Sequence, residues 1–218
     1  MKKEKIGILG GTFNPIHTGH LILAENAYDE FHLNKVWIMP SGCSYFKDQQ
    51  RIVSGEHRMQ MISLAIEKNP HFELSTLEIY RPGNTYTYET IHFLKEHYPN
   101  TDFYFILGED SLFQIETWKC PKEIFSGCTL LVACREERGA NNHTFSPHVS
   151  VKEKILSLCN EYNAAIYTMG TPHLGISSEK IRRDVFYGKS IKYYVPYSVE
   201  NYIYENKLYK ENSQSERK

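Results

Sequence analysis

The stretch GILGGTFNPIHTGH, residues 7–20, follows the first apolar run of the chain and combines glycines, a proline and two histidines. A strand that ends in glycines and leads into a helix forms an anion site. Unpaired amides at a helix N-terminus carry partial positive charge, and glycine lets a phosphate approach the backbone. Gly10, Gly11 and Thr12 supply these residue types. The stretch therefore predicts a phosphate-binding turn between a strand and a helix.

Two well-known phosphate fingerprints are missing from this stretch. It has neither the GxGxxG pattern of dinucleotide-binding turns nor the Gly-Lys-Ser/Thr ending of a P-loop. His17 and His20 would instead converge on the first turn of a helix that begins near Thr18, where both can donate to the same phosphate oxygens. A metal site is the weaker alternative, because this HxxH pattern has no accompanying glutamate or further ligand. A surface or core position for both histidines is the other alternative.

Short apolar runs alternate with helical periods along the rest of the chain. Runs typical of buried strands lie at residues 6–9, 36–39, 103–107, 129–134 and 164–167. Helical faces are marked by Leu21, Ala24, Tyr28 and Phe31, by Met59, Ile62 and Ile66, and by the segments 84–98 and 195–209. The alternation predicts an α/β fold: a Rossmann-like, doubly wound parallel sheet with right-handed crossovers and helices on both faces. The polar segment 136–147 is predicted to be a mobile loop.

Composition and charge limit the class of protein. The 218 residues are 41% hydrophobic and 23% charged, as in globular proteins, and we expect one domain over 1–209 with a flexible tail at 210–218. A net charge of −1 predicts neither a nucleic acid nor a membrane surface as partner. No apolar run approaches the ~20 residues of a bilayer span and no secretory signal is visible, so we expect a cytoplasmic protein. The five cysteines lack metal-site spacing and are expected to be reduced and mostly buried.

Two motifs far apart in the chain resemble the signatures of one enzyme superfamily. GGTFNPIHTGH, residues 10–20, is similar to the HxGH motif of the HIGH-type nucleotidyltransferases, and GISSEKIRRD, residues 175–184, is similar to their second signature, ISSTxIR. Within the superfamily the chain resembles the bacterial nicotinate mononucleotide adenylyltransferases over nearly its whole length. Three intermediate or closing segments agree with that family: RPGNTYTYETI, FYFILGEDSLFQIETWK and VPYSVENYIYENKLY. His17 agrees as well, since phosphopantetheine adenylyltransferases resemble TxGH at this point.

The resemblance implies a reaction. The 5′-phosphate of nicotinate mononucleotide would attack the α-phosphorus of ATP, releasing pyrophosphate and forming nicotinate adenine dinucleotide. The nucleophile is already ionised, so no general base and no covalent intermediate are needed, and the protein mainly positions two anions and neutralises charge. Mg²⁺ is expected with the triphosphate, held mostly by phosphates and water, and no residues are assigned to a resident metal. A homo-oligomer is left open, because the final helix could pack on a partner.

The resemblance also assigns residues to roles. His17, His20 and Arg182 are the expected catalytic donors to phosphate oxygens. The residues expected to contact ATP are Gly11, Thr12, Phe13, Gly108, Asp110, Ile176, Ser177 and Ser178. Ser177 and Ser178 would cap a helix that begins near Glu179, and Asp110 would either accept from a ribose hydroxyl or help to hold Mg²⁺. The residues expected to bind nicotinate mononucleotide are Lys47, Thr85 and Trp118, with Trp118 stacking on the pyridine ring and Thr85 near its carboxylate. Without a ligand, the serines would be an ordinary helix cap, Arg182 a surface arginine and Trp118 a core residue.

The sequence departs from the family pattern at three places. Asn14 stands where the family often has Asp, and Glu179 stands where the second signature usually has Thr. SGCSYFKDQQ, residues 41–50, replaces the common Pro-Pro-His-Lys pattern, so Lys47 is assigned by register alone. Two alternatives follow. One is an adenylyltransferase that acts on nicotinamide mononucleotide, on both the acid and amide forms, or on another phosphorylated alcohol, and the other is a catalytically silent nucleotide sensor on the same fold.

Overall fold

A computed structural model of the chain describes residues 3–42, 52–135, 150–172 and 174–210, and its centre is a parallel sheet. Six strands lie in the order β3-β2-β1-β4-β5-β6, and every neighbouring pair is parallel. The strands are β1 Glu4–Gly11, β2 Lys35–Pro40, β3 Phe72–Leu74, β4 Thr101–Gly108, β5 Thr129–Arg135 and β6 Ile166–Thr171. Apolar residues dominate them because parallel strands are covered on both faces.

Eight α-helices lie between and after these strands in the described ranges. They are α1 Thr18–Glu30, α2 Gly55–Ile66, α3 Thr87–His97, α4 Glu109–Gln114, α5 Pro121–Gly127, α6 Val151–Tyr162, α7 Ser178–Phe186 and α8 Tyr197–Glu205. A 3-10 turn, Ile115–Thr117, follows α4 directly. Among the helices described, none has the length and apolar character required to cross a bilayer.

The helices cover both faces of the sheet, so the core has two layers. The first core layer packs α1, α2, α7 and α8 on one face, through residues such as Ala24, Ile62, Ile181 and Ile203. The second core layer packs α3, α4, α5 and α6 on the other face, through residues such as Ile91, Leu112, Ile124 and Leu158. Neighbouring strand residues alternate between the layers, as Ile8 and Leu9 do. The prediction of a doubly wound sheet with helices on both faces is confirmed.

The strand order locates a binding crevice. β1 lies in the middle of the sheet and pairs with both β2 and β4, so the chain leaves it toward one edge and later returns to build the other. At such a switch point the loops after the two central strands separate, and a crevice opens at their carboxyl ends. The glycines that end β1 and the glycine that ends β4, Gly108, lie at this crevice.

The five predicted strands correspond to β1, β2, β4, β5 and β6, and of these only β6 is displaced along the chain. The prediction placed the sixth strand at 164–167, whereas β6 begins at Ile166 and runs to Thr171, and it missed the three-residue β3. It also missed α4, α5 and α6. The expectation that the cysteines are mostly buried is wrong for the described ones, because only Cys128 is buried, while Cys120, Cys134 and Cys159 are partly exposed. The predicted loop at 136–147 and the tail beyond Lys210 lie outside the described residues.

Candidate active site

Two histidines cap the first turn of α1. His17 is the N-cap residue, and the backbone N–H of His20 donates to His17 Nδ1 at 3.3 Å. In return the backbone N–H of His17 donates to His20 Nδ1 at 3.2 Å. The two imidazole rings stack with centroids 3.5 Å apart. This reciprocal capping box uses the spacing of three residues to give two amides at the start of the helix a side-chain acceptor, and the His20 N–H also reaches the His17 carbonyl at 2.9 Å.

The capping bonds determine which nitrogen of each ring carries a proton. Because both Nδ1 atoms accept hydrogen bonds, each neutral imidazole holds its proton on Nε2. His17 is only 7% exposed, and burial lowers its pKa from 6.5 to about 4. His17 is therefore a neutral N–H donor at physiological pH, not a cation.

The second signature binds directly to the loop that precedes α1. Ser177 is the N-cap of α7 and accepts from the backbone N–H of Lys180 at 3.1 Å. Ser178 is the first helical residue and does not share in the cap as expected, because its hydroxyl donates to the carbonyl of Pro15 at 2.8 Å. Arg182 Nη1 donates to the carbonyl of Asn14 at 2.7 Å. Two motifs from opposite ends of the chain thus form one structural unit.

A cavity of about 440 Å³ lies between this unit and the end of β4. The predicted residues that line it are His17, His20, Gly108, Asp110, Ile176 and Ser177. The N-termini of α1 and α7 both reach its wall, so the positive ends of their dipoles favour a negatively charged ligand. The cavity can accommodate the phosphates of a nucleotide.

The remaining residues predicted to contact ATP, and the predicted catalytic residue Arg182, lie outside the cavity lining. These residues are Gly11, Thr12, Phe13, Ser178 and Arg182. A Cβ added to Gly11 would lie 3.1 Å from the Phe13 ring, so this glycine makes room for an aromatic side chain. The Phe13 ring is buried and packs edge-on against His20, with centroids 5.0 Å apart. Direct contacts of these residues with ATP stay predictions.

Two of the three predicted acceptor residues, Thr85 and Trp118, lie near the ends of β2 and β1. Trp118 packs edge-on against Phe105 with centroids 6.3 Å apart, and a Cβ on Gly10 would lie 3.4 Å from that same Phe105 ring. Thr85 lies beside Gly42, where an added Cβ would come within 3.1 Å of its methyl group. Lys47 lies outside the described residues. Thr85 and Trp118 are not part of the cavity lining.

Sequence reasoning missed several residues of the site. Thr171 and Pro172 line the cavity at the end of β6, and they were missed because the predicted strand stopped four residues too early. Arg58, buried on α2, donates to the carbonyls of Thr12 and Ser41 at 3.0 and 2.7 Å. The sequence signal that could have revealed Arg58 is the presence of an arginine within the apolar stripe of a helix. Among the residues described, no group of three or more His, Cys, Asp or Glu side chains is arranged to hold a metal ion.

Comparison with known proteins assigns the chain to a class of nucleotidyltransferase. Residues 8–184 match the model of the cytidylyltransferase-like family, and the chain belongs to this family. Among its curated relatives, a probable nicotinate-nucleotide adenylyltransferase of Lachnoclostridium phytofermentans is 40% identical over 206 residues, 94% of this chain and 99% of the relative. Another protein of that description, from Thermoanaerobacter sp., is 40% identical over 217 residues, 99% of each chain. The resemblance inferred from the two motifs is confirmed.

Solved structures share the fold over nearly the whole chain. The nicotinic acid mononucleotide adenylyltransferase of Plasmodium falciparum, complexed with NaAD, superposes with a TM-score of 0.76 at 22% identity, covering 97% of this chain and 100% of that one. The same enzyme complexed with APC gives a TM-score of 0.74 with the same coverage. At this identity the likeness supports the fold.

Proposed function

We propose that this chain is a nicotinate-nucleotide adenylyltransferase, which transfers AMP from ATP to nicotinate mononucleotide and yields nicotinate adenine dinucleotide and pyrophosphate. The observation that carries the proposal is the joining of the two signatures around one cavity. Arg182 and Ser178 bind the carbonyls of Asn14 and Pro15, directly before the histidines that line the cavity. The names of the relatives supply the acceptor.

The protein's own groups stabilise charge on the transferred phosphate. His17 and His20 line the cavity and each carries an Nε2–H, and the positive end of the α7 dipole adds to the field there. Preorganised donors of this kind act most strongly where negative charge grows during the reaction. Here that charge grows on the oxygen through which the pyrophosphate leaves the α-phosphorus. His17 Nδ1 already accepts from the His20 amide and Nε2 carries the proton, so the ring acts as a donor and has no lone pair left to serve as a general base.

Mg²⁺ fits this site as a companion of the triphosphate. The carboxylates of Glu109 and Asp110 line the cavity, and carboxylate oxygens are ligands that Mg²⁺ accepts alongside phosphates and water. Asp110 is the residue that would hold it. When bound, the ion would neutralise charge on the triphosphate.

The acceptor would bind on the other side of the end of β1. Trp118 is only partly buried where it packs on Phe105 and offers aromatic surface for a pyridine ring, and Thr85 lies near the end of β2. Stacking orients the ring but contributes only about 1 kcal/mol, so hydrogen bonds must distinguish a carboxylate from a carboxamide.

An assay of the purified protein with MgATP tests the proposal. With nicotinate mononucleotide it should release pyrophosphate and form the dinucleotide, and kcat/KM for the acid should exceed that for the amide by roughly 10²-fold or more. A ratio near one would favour the alternative acceptor. Binding of ATP without pyrophosphate release from either acceptor would favour the sensor and contradict the proposal.

A further inference from the structure

The last described turn of the chain reaches back to the loop between β1 and α1. After α8 ends, Lys207 and Tyr209 adopt left-handed backbone conformations, with φ of 51° and 63°. Between them Leu208 is buried in the first core layer, and its N–H donates to the carbonyl of Ile203 at 3.0 Å. This turn directs Tyr209 inward, and its hydroxyl donates to Asn14 Oδ1 at 2.9 Å.

Asn14 is the point where several distant segments meet. It is 4% exposed. Its Oδ1 accepts from the backbone N–H of Val53 at 3.3 Å as well as from Tyr209, and its backbone carbonyl accepts from Arg182. The segment before α2, the helix α7 and the C-terminal turn are all held together through this residue. Both donors to Oδ1 require an oxygen acceptor, which Asn and Asp offer alike, so Asn at this position keeps both bonds.

The Tyr209 hydroxyl is well suited to a permanent hydrogen bond. Burial raises the pKa of Tyr209 above its ordinary value, even though the guanidinium groups of Arg58 and Arg182 oppose that change. The hydroxyl therefore stays protonated and remains a donor across the physiological range. The bond crosses the whole chain, since Tyr209 and Asn14 are 195 residues apart.

We propose that Tyr209 is a positioning residue for the adenylyl transfer: its bond to Asn14 holds the loop 12–16 and thereby sets His17 and His20 at the cavity. This inference rests on the proposed function. The loop leads directly into His17, whose backbone and ring form the capping box of α1. Movement at Asn14 is transmitted to that cap through only two intervening residues.

The test compares Tyr209→Phe with Tyr202→Phe. The first removes the hydroxyl that binds Asn14 and keeps the ring. The second is a matched control. Tyr202 lies on α8, and its hydroxyl forms a hydrogen bond with His57 Nδ1 of α2 at 2.8 Å and none with the loop. Hydrogen exchange of the amides of residues 12–20, the melting temperature, kcat and both KM values are measured for each variant and for the wild type.

Tyr209→Phe should accelerate amide exchange in residues 12–17 and lower kcat about 10-fold, since displacing catalytic groups by ~1 Å costs up to ~100-fold. Its melting temperature should fall no further than that of Tyr202→Phe, which keeps wild-type exchange in the loop and wild-type kcat. Unchanged exchange in Tyr209→Phe, or the same change in both variants, would overturn the inference. Should the wild type form no dinucleotide at all, the proposed function fails, and the exchange data alone still decide whether Tyr209 holds the loop.

Discussion

At the scale of single residues, the buried cap of α1 makes stability depend on pH. His17 has a pKa of about 4 in the folded protein and 6.5 when unfolded, so the unfolded chain takes up a proton first as the pH falls. The contribution of neutral His17 is complete above pH 6.5 and declines toward pH 4. The total loss is on the order of 3 kcal/mol, at about 1.4 kcal/mol per pH unit. His17→Asn keeps a good N-cap residue but cannot titrate.

Denaturant unfolding of wild type and His17→Asn at several pH values between 7.5 and 4.5 measures this difference. The wild type should lose stability more steeply than the variant below pH 6.5. All other titrating groups are common to the two proteins, so parallel curves would mean that His17 is not buried as a neutral ring.

His20 carries a second prediction at this scale, about turnover. His20→Ala should lower kcat by roughly 10² to 10³, the cost of removing one preorganised donor to a transition state. It also removes half of the capping box, at a cost of about 1 kcal/mol of stability. Thermal denaturation alongside the assay separates the two effects. His97→Ala, on the exposed end of α3, is the control and should leave kcat unchanged. A kcat for His20→Ala equal to that of this control would remove His20 from the mechanism.

At the scale of elements, Arg58 links the ends of two strands. It is 5% exposed on α2, and one nitrogen donates to the carbonyl of Thr12 after β1 and to that of Ser41 after β2. Arg58→Met should cost about 3 kcal/mol in the free energy of unfolding, because the two carbonyls that Arg58 joins lose their donor. Arg183→Met, at an exposed position of α7, should cost less than about 1 kcal/mol. Urea unfolding of both variants provides the comparison, and equal midpoints would contradict the role given to Arg58.

Much of this arrangement of elements could be predicted because its signals are local. The apolar run, the glycines and the spacing of His17 and His20 all act within one strand, turn and helix. Ser177 could be predicted as a cap for the same reason. Arg58 could not be predicted, because a charged residue is not expected within an apolar stripe. Met59, Ile62 and Ile66 marked the predicted face, and the buried residues are Arg58, Met61, Ile62 and Ile66.

Contacts between distant segments had no sequence signal. The bonds of Ser178 and Arg182 to the loop before α1 depend on the sheet order, which sets α7 beside α1. The hydrogen bond of Tyr209 depends on a left-handed turn at two residues that are not glycine. The end of β6 was misplaced because β6 is an edge strand in which only Met169 is buried, so its second half lacks an apolar run.

At the scale of the whole molecule, the cavity joins the two core layers. Its wall includes His17 and Ser177 from helices of the first core layer and Asp110 from α4, which packs in the second. A ligand there contacts elements that all separate on unfolding, so it should stabilise the fold as a unit.

A non-hydrolysable ATP analogue at about 100 times its dissociation constant should add about 2.7 kcal/mol to the free energy of unfolding. For a chain of this size that raises Tm by roughly 5–10 °C. Thermal unfolding with MgCl₂ constant, and with adenosine at equal concentration as control, measures the shift. Adenosine lacks the phosphates that the two helix N-termini favour and should give much less. Equal shifts for adenosine and the analogue would mean that the cavity does not hold the triphosphate.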